Sequence, residues 1–252
     1  STLMRSSAAS DVYKRQVLDN GLVQCKRRYE WKGETSLPHV TLAIRWQVLG
    51  RKLFPFLPGI LYYGNNMGAK VNPNAVPVYD IEKENEFAIF EEHRYPMPFA
   101  MLENAESLQG VAIHVTPSSV RGSVVQDQWW SLGVEKKEAD RTEIVMYSGP
   151  IGYNGKYSVA KARQLQSMKY TDTYLTLFPG QIIEKEFFID PFKIKKRGTG
   201  FQHPVYTSLD LHRPYVADLF PSLSTIVKSK YGYAKRRWLS DGIIAGLSLI
   251  HI

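Results

Sequence analysis

The sequence predicts a mainly β chain: an antiparallel β-sandwich followed by the first helix or helices of an α-helical domain. Three observations carry this. Val40, Leu42, Ile44, Trp46 and Val48 alternate with His39, Thr41, Ala43, Arg45 and Gln47, the period of a strand with one buried face. Residues 172–178 and 181–189 read as two strands joined through Pro179-Gly180, the pair that suits the centre of a type II turn. After Gly200 the pattern changes: Leu219, Leu223, Ile226, Val227 and Tyr231 fall near helical spacing.

In chain order, residues 21–31 read as a strand with Val23, Cys25, Tyr29 and Trp31 on one side, and 32–36 as its turn. The alternating strand follows and is broken at 50–52. Residues 57–66, Leu-Pro-Gly-Ile-Leu-Tyr-Tyr-Gly-Asn-Asn, form a short apolar and aromatic strand between turns, since Pro presets φ and Gly or Asn tolerates positive φ. A loop rich in Asn, Pro and Gly covers 67–77, and 87–93 is the next strand. Pro96 and Pro98 then withhold ladder donors, which ends it at an edge. Residues 110–115 alternate again, with Val111, Ile113 and Val115 on one face. Strands at 129–135 and 142–147 flank the charged turn 136–141, and 149–155 is a second turn-rich loop. Residues 193–200 read as a linker. The helix expected over 214–231 has Asp218 as its cap, Pro221 near its start and Gly232 past its end.

With 252 residues and 44% apolar side chains, the chain is long enough for one large all-β domain or two small ones, with a sizeable core. Its net charge of +8 is spread over clusters at 26–28, 193–197 and 235–237, without a nucleic-acid motif beside them. The reading is therefore of solvated basic faces and no nucleic-acid partner. No apolar run approaches the ~18 residues of a membrane span. The single cysteine, Cys25, excludes an intrachain disulfide and a thiolate metal cluster.

Candidate chemistry is sparse. The six histidines, His39, His93, His114, His203, His212 and His251, show no metal-ligand spacing, so no metal is expected. Neither a glycine-rich phosphate loop nor G-x-S-x-G is present, and no cofactor is expected. Residues 115–122 read as a turn with hydroxyls. Tyr62, Tyr63, Asn65 and Asn66 combine ring faces with amides that both donate and accept, which suits a sugar; the plainer reading is a core strand between turns. Glu91, Glu92, His93 and Arg94 are the densest polar set. Strand alternation sends Glu92 and Arg94 to one face and Glu91 and His93 to the other, a pairing for a uronate or a simple edge ion pair. Of Trp129 and Trp130, one indole goes to the core and the other to a sugar or an interface. Glycosidic cleavage needs two flanking carboxylates. Asp80, Glu82, Glu84, Glu86, Glu91, Glu92 and Glu103 are all available, and sequence does not choose among them.

On the 57–66 element, Phe90-Glu-Glu-His-Arg-Tyr95, the Pro179-Gly180 turn and the change to helix after Gly200, the chain resembles the N-terminal β-sandwich (supersandwich) of bacterial carbohydrate-active enzymes with an (α/α)6 toroid. These are glycoside hydrolases, uronidase-like enzymes and polysaccharide lyases. The resemblance covers roughly residues 21–238, mostly by layout. It implies catalytic groups on toroid helices beyond this chain, and a sandwich that packs on that domain and lines one rim of the cleft. Tyr63, Asn65, Asn66, Glu92, His93 and Arg94 take the rim role, with a poly- or oligosaccharide as partner, in a periplasmic or secreted setting. The chain alone is then expected to be inactive. Ser6-Ser-Ala-Ala-Ser-Asp-Val-Tyr-Lys-Arg-Gln16 looks like translated adapter read-through from a metagenomic assembly, and Leu247-Ser-Leu-Ile-His-Ile252 like its other end. The expected divisions are a tail at 1–16, the sandwich at 17–200, a linker and helical start at 201–246, and a second tail at 247–252. A stand-alone carbohydrate-binding or surface-interaction module is the second reading. A basic nucleic-acid-binding domain is a distant third.

Overall fold

The computed structural model describes residues 9–65, 77–118, 130–149, 153–154, 157–158, 175–212, 221–236, 238–241 and 244–247. The first half of the chain supplies β1 (Ala9–Val17), β2 (Val23–Trp31), β3 (Leu37–Val40), β4 (Ala43–Leu49), β5 (Leu53–Leu57), β6 (Leu61–Tyr62), β7 (Phe87–Glu91), β8 (Phe99–Asn104) and β9 (Gln109–Val115). Then come β10 (Trp130–Glu138), β11 (Arg141–Ser148), β12 (Tyr153–Asn154), β13 (Tyr157–Ser158), β14 (Leu175–Leu177) and β15 (Ile182–Lys193). Two helices, α1 (Gln202–His212) and α2 (Leu223–Arg236), precede a short hairpin of β16 (Trp238–Asp241) and β17 (Ile244–Leu247). The fold is mainly β with trailing helices. The chain divides into two compact units, residues 1–211 and 212–252. No helix among the described residues is long and apolar enough to cross a membrane.

In the first unit, a seven-stranded sheet has the order β1-β2-β15-β9-β8-β5-β6 and a six-stranded sheet the order β13-β12-β7-β10-β11-β4. The described pairings are antiparallel. Alternation decides what each face buries. Ala100 and Leu102 of β8, Ile113 and Val115 of β9, and Phe187 and Ile189 of β15 join Ile44, Ala88, Phe90, Leu132, Val134, Ile144 and Met146 of the other sheet in one core. The intervening residues Phe99, Met101, Ala112 and Phe192 point to the opposite face of the larger sheet, where Phe201 and Val205 pack over them. That sheet is therefore covered on both faces, which explains why β5 is buried along its whole length.

Several expected boundaries move. Residues 40–48 are not one strand: the chain breaks between β3 and β4, which pair with β14 and β11 in different sheets. Ile44 is buried as the alternation requires, while Trp46 is half-buried at the core margin. The turn at Pro179-Gly180 is present, with Gly180 at φ 74° and Gln181 N–H donating to Phe178 O at 2.9 Å. Its two strands nevertheless part, β14 to β3 and β15 between β2 and β9. The turn is there, but the hairpin is not.

Residues 193–200 do not hang free as a linker. Lys193 ends β15, Ile194 is buried, and the N–H groups of Gly198 and Gly200 are bound to a buried carboxylate. Helix α2 starts later than expected, with Ser222 Oγ 3.3 Å from the Thr225 N–H, and runs through Gly232 to Arg236. Asp218 lies outside the described residues, as do Asn66, Trp129 and most of the 67–77 loop. Residues 9–16, set apart as tail, are in β1, which pairs with β2 from Ala9↔Trp31 to Val17↔Val23.

Candidate functional site

The 57–66 element is built as a double turn. β5 and β6 face each other, Ile60 N–H reaches Leu57 O at 3.0 Å, and Gly59 sits at φ 74°. A Cβ at Gly59 would lie 2.9 Å from Pro96 Cδ, so this turn rests against the end of the Glu92–Pro96 segment. Asn65, at φ 56°, is fully engaged. Its Oδ1 accepts from Tyr62 N–H at 2.9 Å, and its Nδ2 donates to Ile60 O at 2.8 Å and Pro77 O at 2.9 Å. Both amide protons are spent on closing the loop, so none is left for a sugar hydroxyl.

Tyr63 is likewise internal. Its hydroxyl donates to Glu103 Oε2 at 3.0 Å, and Glu103, fully buried, also accepts the Gly198 N–H at 2.6 Å and the Gly200 N–H at 3.0 Å. Burial, with the Glu103 carboxylate beside it, pushes the Tyr63 phenol well above its usual range. Glu103 thus ties the β5–β6 turn to the segment leading into α1. Tyr62 stays exposed, edge-on to Phe56 at 5.2 Å.

Glu92, His93 and Arg94 are not on a strand. β7 ends at Glu91, and the next three residues make a single 3-10 turn. Strand alternation therefore fails here: Arg94 turns back to Glu91, with Nε 2.5 Å from Oε2, and His93 Nε2 stands 3.7 Å from the same oxygen. Glu92 points the other way, into the protein. Its Oε2 lies 2.5 Å from Lys185 Nζ, and its Oε1 accepts from Ser118 N–H at 2.8 Å and Trp130 N–H at 3.4 Å. The expected Glu92–Arg94 pair does not form, and Glu92 has no open face for substrate. Of the six sequence candidates, His93 and Arg94 are exposed, Tyr63, Asn65 and Glu92 hold the fold, and Asn66 lies outside the described residues.

A cluster that sequence reading passed over lies on the α1 side of the larger sheet. Asp190 of β15 presents Oδ2 to His114 Nε2 at 3.1 Å and Oδ1 to His203 Nε2 at 2.9 Å. His114 is buried against Phe99, with ring centroids 5.2 Å apart, and its Nδ1 has no hydrogen-bond partner. His203, on α1, is half-exposed and stacked on Phe192 at 4.9 Å. The three residues are far apart in sequence, so no motif announces them. The available signal was polar residues in phase with Ala112 and Phe192 on strands whose other face is apolar. The arrangement fixes the His203 imidazole at the surface with a carboxylate behind it. It also fastens α1 to the sheet.

Burial works against the Asp190 carboxylate, but hydrogen bonds from the two imidazoles outweigh it and hold the pKa below the ordinary value. A folded pKa below the unfolded ~3.9 means that this stabilisation is complete above about pH 4. It is lost as pH falls through the folded pKa. Asp190→Asn is expected to cost ~1–3 kcal/mol near neutral pH. It should also flatten the acid limb of a urea-midpoint profile below about pH 4. Equal acid limbs for the two proteins would remove Asp190 from this role.

Among the described residues, no group of three His, Cys, Asp or Glu side chains has metal-site geometry. No protein-family model matches the sequence, and no curated protein matches it. The chain is similar to several solved structures, two of which follow. One, from Klebsiella pneumoniae subsp. pneumoniae and provisionally designated an aldose 1-epimerase, has a TM-score of 0.42 at 11% identity over 82% of this chain and 52% of that one. The other, a structural-genomics protein from Synechocystis sp., has a TM-score of 0.41 at 12% identity over 73% of this chain and 54% of that one. This chain spans about half the length of each.

Proposed function

We propose that the chain is the non-catalytic β portion of a carbohydrate-active enzyme of the glycoside-hydrolase or polysaccharide-lyase kind. In this reading it is a sandwich that packs on a helical catalytic domain and lines one rim of the glycan cleft. The observation that carries the reading is the order of parts. Two large antiparallel sheets share one core, β15 lies between β2 and β9 in the larger of them, and the chain then turns to helix. On α2, Leu223, Val227 and Tyr231 are exposed at helical spacing, the pattern of a helix whose neighbours lie elsewhere.

The rim role narrows to the groups that still face outward: His93, Arg94 and Tyr62, with Asn66 keeping its place in the proposal. Hydrolysis needs two carboxyl groups ~5–10 Å apart across the bond. Glu92 and Glu103 are both committed to internal partners. The test is incubation of the full chain with a panel of plant and host glycans, uronate-containing ones included. The expected outcome is weak binding, reduced severalfold by Arg94→Ala combined with Tyr62→Ala, and no release of reducing ends or unsaturated products. Steady turnover by the chain alone would overturn the non-catalytic assignment.

A further inference from the structure

At the margin of the shared core the two sheets leave an open cavity of about 430 Å³. Its walls are apolar: Trp46 and Val48 of β4, Leu53 of β5, Leu102 of β8, Val111 of β9 and Ile189 of β15. Its polar lining includes Arg15, Ser107 and Gln109. Asn104 also reaches it, but its Oδ1 already accepts from Glu106 N–H at 2.9 Å and Ser107 N–H at 3.1 Å. Among the described residues that line it, Arg15 is the only charged one and none is a carboxylate.

The β1–β2 register explains where that charge stands. Arg15 lies opposite Cys25, and residues directly opposite in an antiparallel pair share a face. Cys25 belongs to the core, so Arg15 is carried to the core side, at its open end. Tyr13, on the same face, lies beneath it, with the Arg15 guanidinium 4.9 Å and the Arg27 guanidinium 5.5 Å from its ring centroid. Two guanidinium groups thus share one ring, and of the two Arg15 lines the cavity.

We propose that this cavity is a binding site for a medium-chain carboxylate, with the alkyl body between the sheets and the carboxylate on Arg15. A neutral sugar is a poor fit, because most of its hydroxyls would meet apolar walls without hydrogen-bond partners. An anion with an apolar tail satisfies both halves of the site. At ~30 Å³ per water-sized unit the cavity has room for a chain of about eight to twelve carbons without filling completely. Arg15 lies in the stretch that resembles adapter read-through, so the site belongs to this chain as it folds, with β1 laid on β2. The inference stands apart from the glycan reading and shares no residue with it.

Calorimetric titration of the full chain with decanoate, below its micelle concentration, tests the proposal, with Trp46 emission as the local reporter. Decanol and acetate are the comparators. Decanoate is expected to bind saturably and to change the emission, and Trp46→Phe should remove that change while heat is still released. Arg15→Gln, at an exposed position, should weaken decanoate about tenfold and leave decanol within about twofold, the signature of a charge-assisted contact. Val111→Phe, which fills the cavity, should weaken both; a melting curve on this variant separates filling from misfolding. Absence of saturable binding, acetate binding as well as decanoate, or unchanged decanoate affinity in Arg15→Gln would each overturn the assignment.

Discussion

Lys185→Met is expected to lower stability by about 3–5 kcal/mol, because it strands a buried carboxylate. Lys185 and Glu92 are each about 2% exposed, and their charged atoms are 2.5 Å apart. The network around them is complete. Lys185 also donates to Thr116 O at 2.9 Å and Ser118 Oγ at 3.3 Å, while Glu92 takes the N–H groups of Ser118 and Trp130. Burial pushes the Lys185 pKa down, and the Glu92 charge pushes back. The pair joins β15 to the residues just after β9 and to the start of β10, so its loss is felt in both sheets. In a domain of this size ~1 kcal/mol moves the melting temperature by about 2–4 °C, so a drop of roughly 6–20 °C is expected. Glu92→Gln leaves the Lys185 ammonium buried without its counter-ion, but the amide oxygen can still accept its proton, so it should cost less. The double variant should lie closer to the wild type than the sum of the two losses, because it removes both charges together. Urea titration of the four proteins measures this. A Lys185→Met loss below ~1 kcal/mol would mean that the ammonium is hydrated and the pair is not buried.

What the sequence revealed and what it concealed follow the range of the interactions involved. Alternation is local, so β9, the outer half of β4 and the turn at Gly180 could be read directly. Sheet membership is not local. Val40 and Ile44 have the same phase but belong to different sheets, and nothing between them reports that the partner strands differ. The Glu91–Arg94 run was misread because one 3-10 turn replaces the strand, turning Arg94 toward Glu91 and Glu92 inward. Gly232 was taken as a helix stop, yet a glycine inside a helix costs only ~1 kcal/mol and here the helix continues. The polar residues most engaged in the fold, Glu103, His114, Lys185 and Asp190, find their partners 67 to 97 positions away or on a separate element, beyond any spacing rule. An exposed sugar-facing asparagine and one closing its own loop have the same sequence signature, and for Asn65 only the carbonyls of Ile60 and Pro77 decide between them.

Removing residues 1–16 is expected to destabilise the chain, although the sequence reads that stretch as a tail. β1 is paired with β2 over nine residues. On its core side the Tyr13 ring stacks at 6.3 Å on Phe187, and its hydroxyl donates to Cys25 Sγ at 3.2 Å. Burial, then the contact with Cys25, raises the Tyr13 phenol to about 12, so it stays a proton donor at any ordinary pH. Truncation uncovers Cys25 and Phe187, now buried, and leaves β2 as an edge. An aromatic stack of this kind contributes ~0.5–1.5 kcal/mol, and fully exposing a large apolar side chain costs ~1.5–3 kcal/mol. A total near ~3 kcal/mol corresponds to a melting temperature lower by about 6–12 °C. The truncated protein should nevertheless remain soluble. β2 carries Lys26, Arg27 and Arg28, with Lys26 Nζ 2.9 Å from Glu184, and a charged edge resists strand-to-strand aggregation. Cys25 supplies a second readout: its thiol should react with a bulky maleimide many times faster once β1 is gone. A melting temperature within ~2 °C of the full chain, with Cys25 still protected, would mean that β2 already forms the true edge of the sheet and that residues 9–16 add nothing to it.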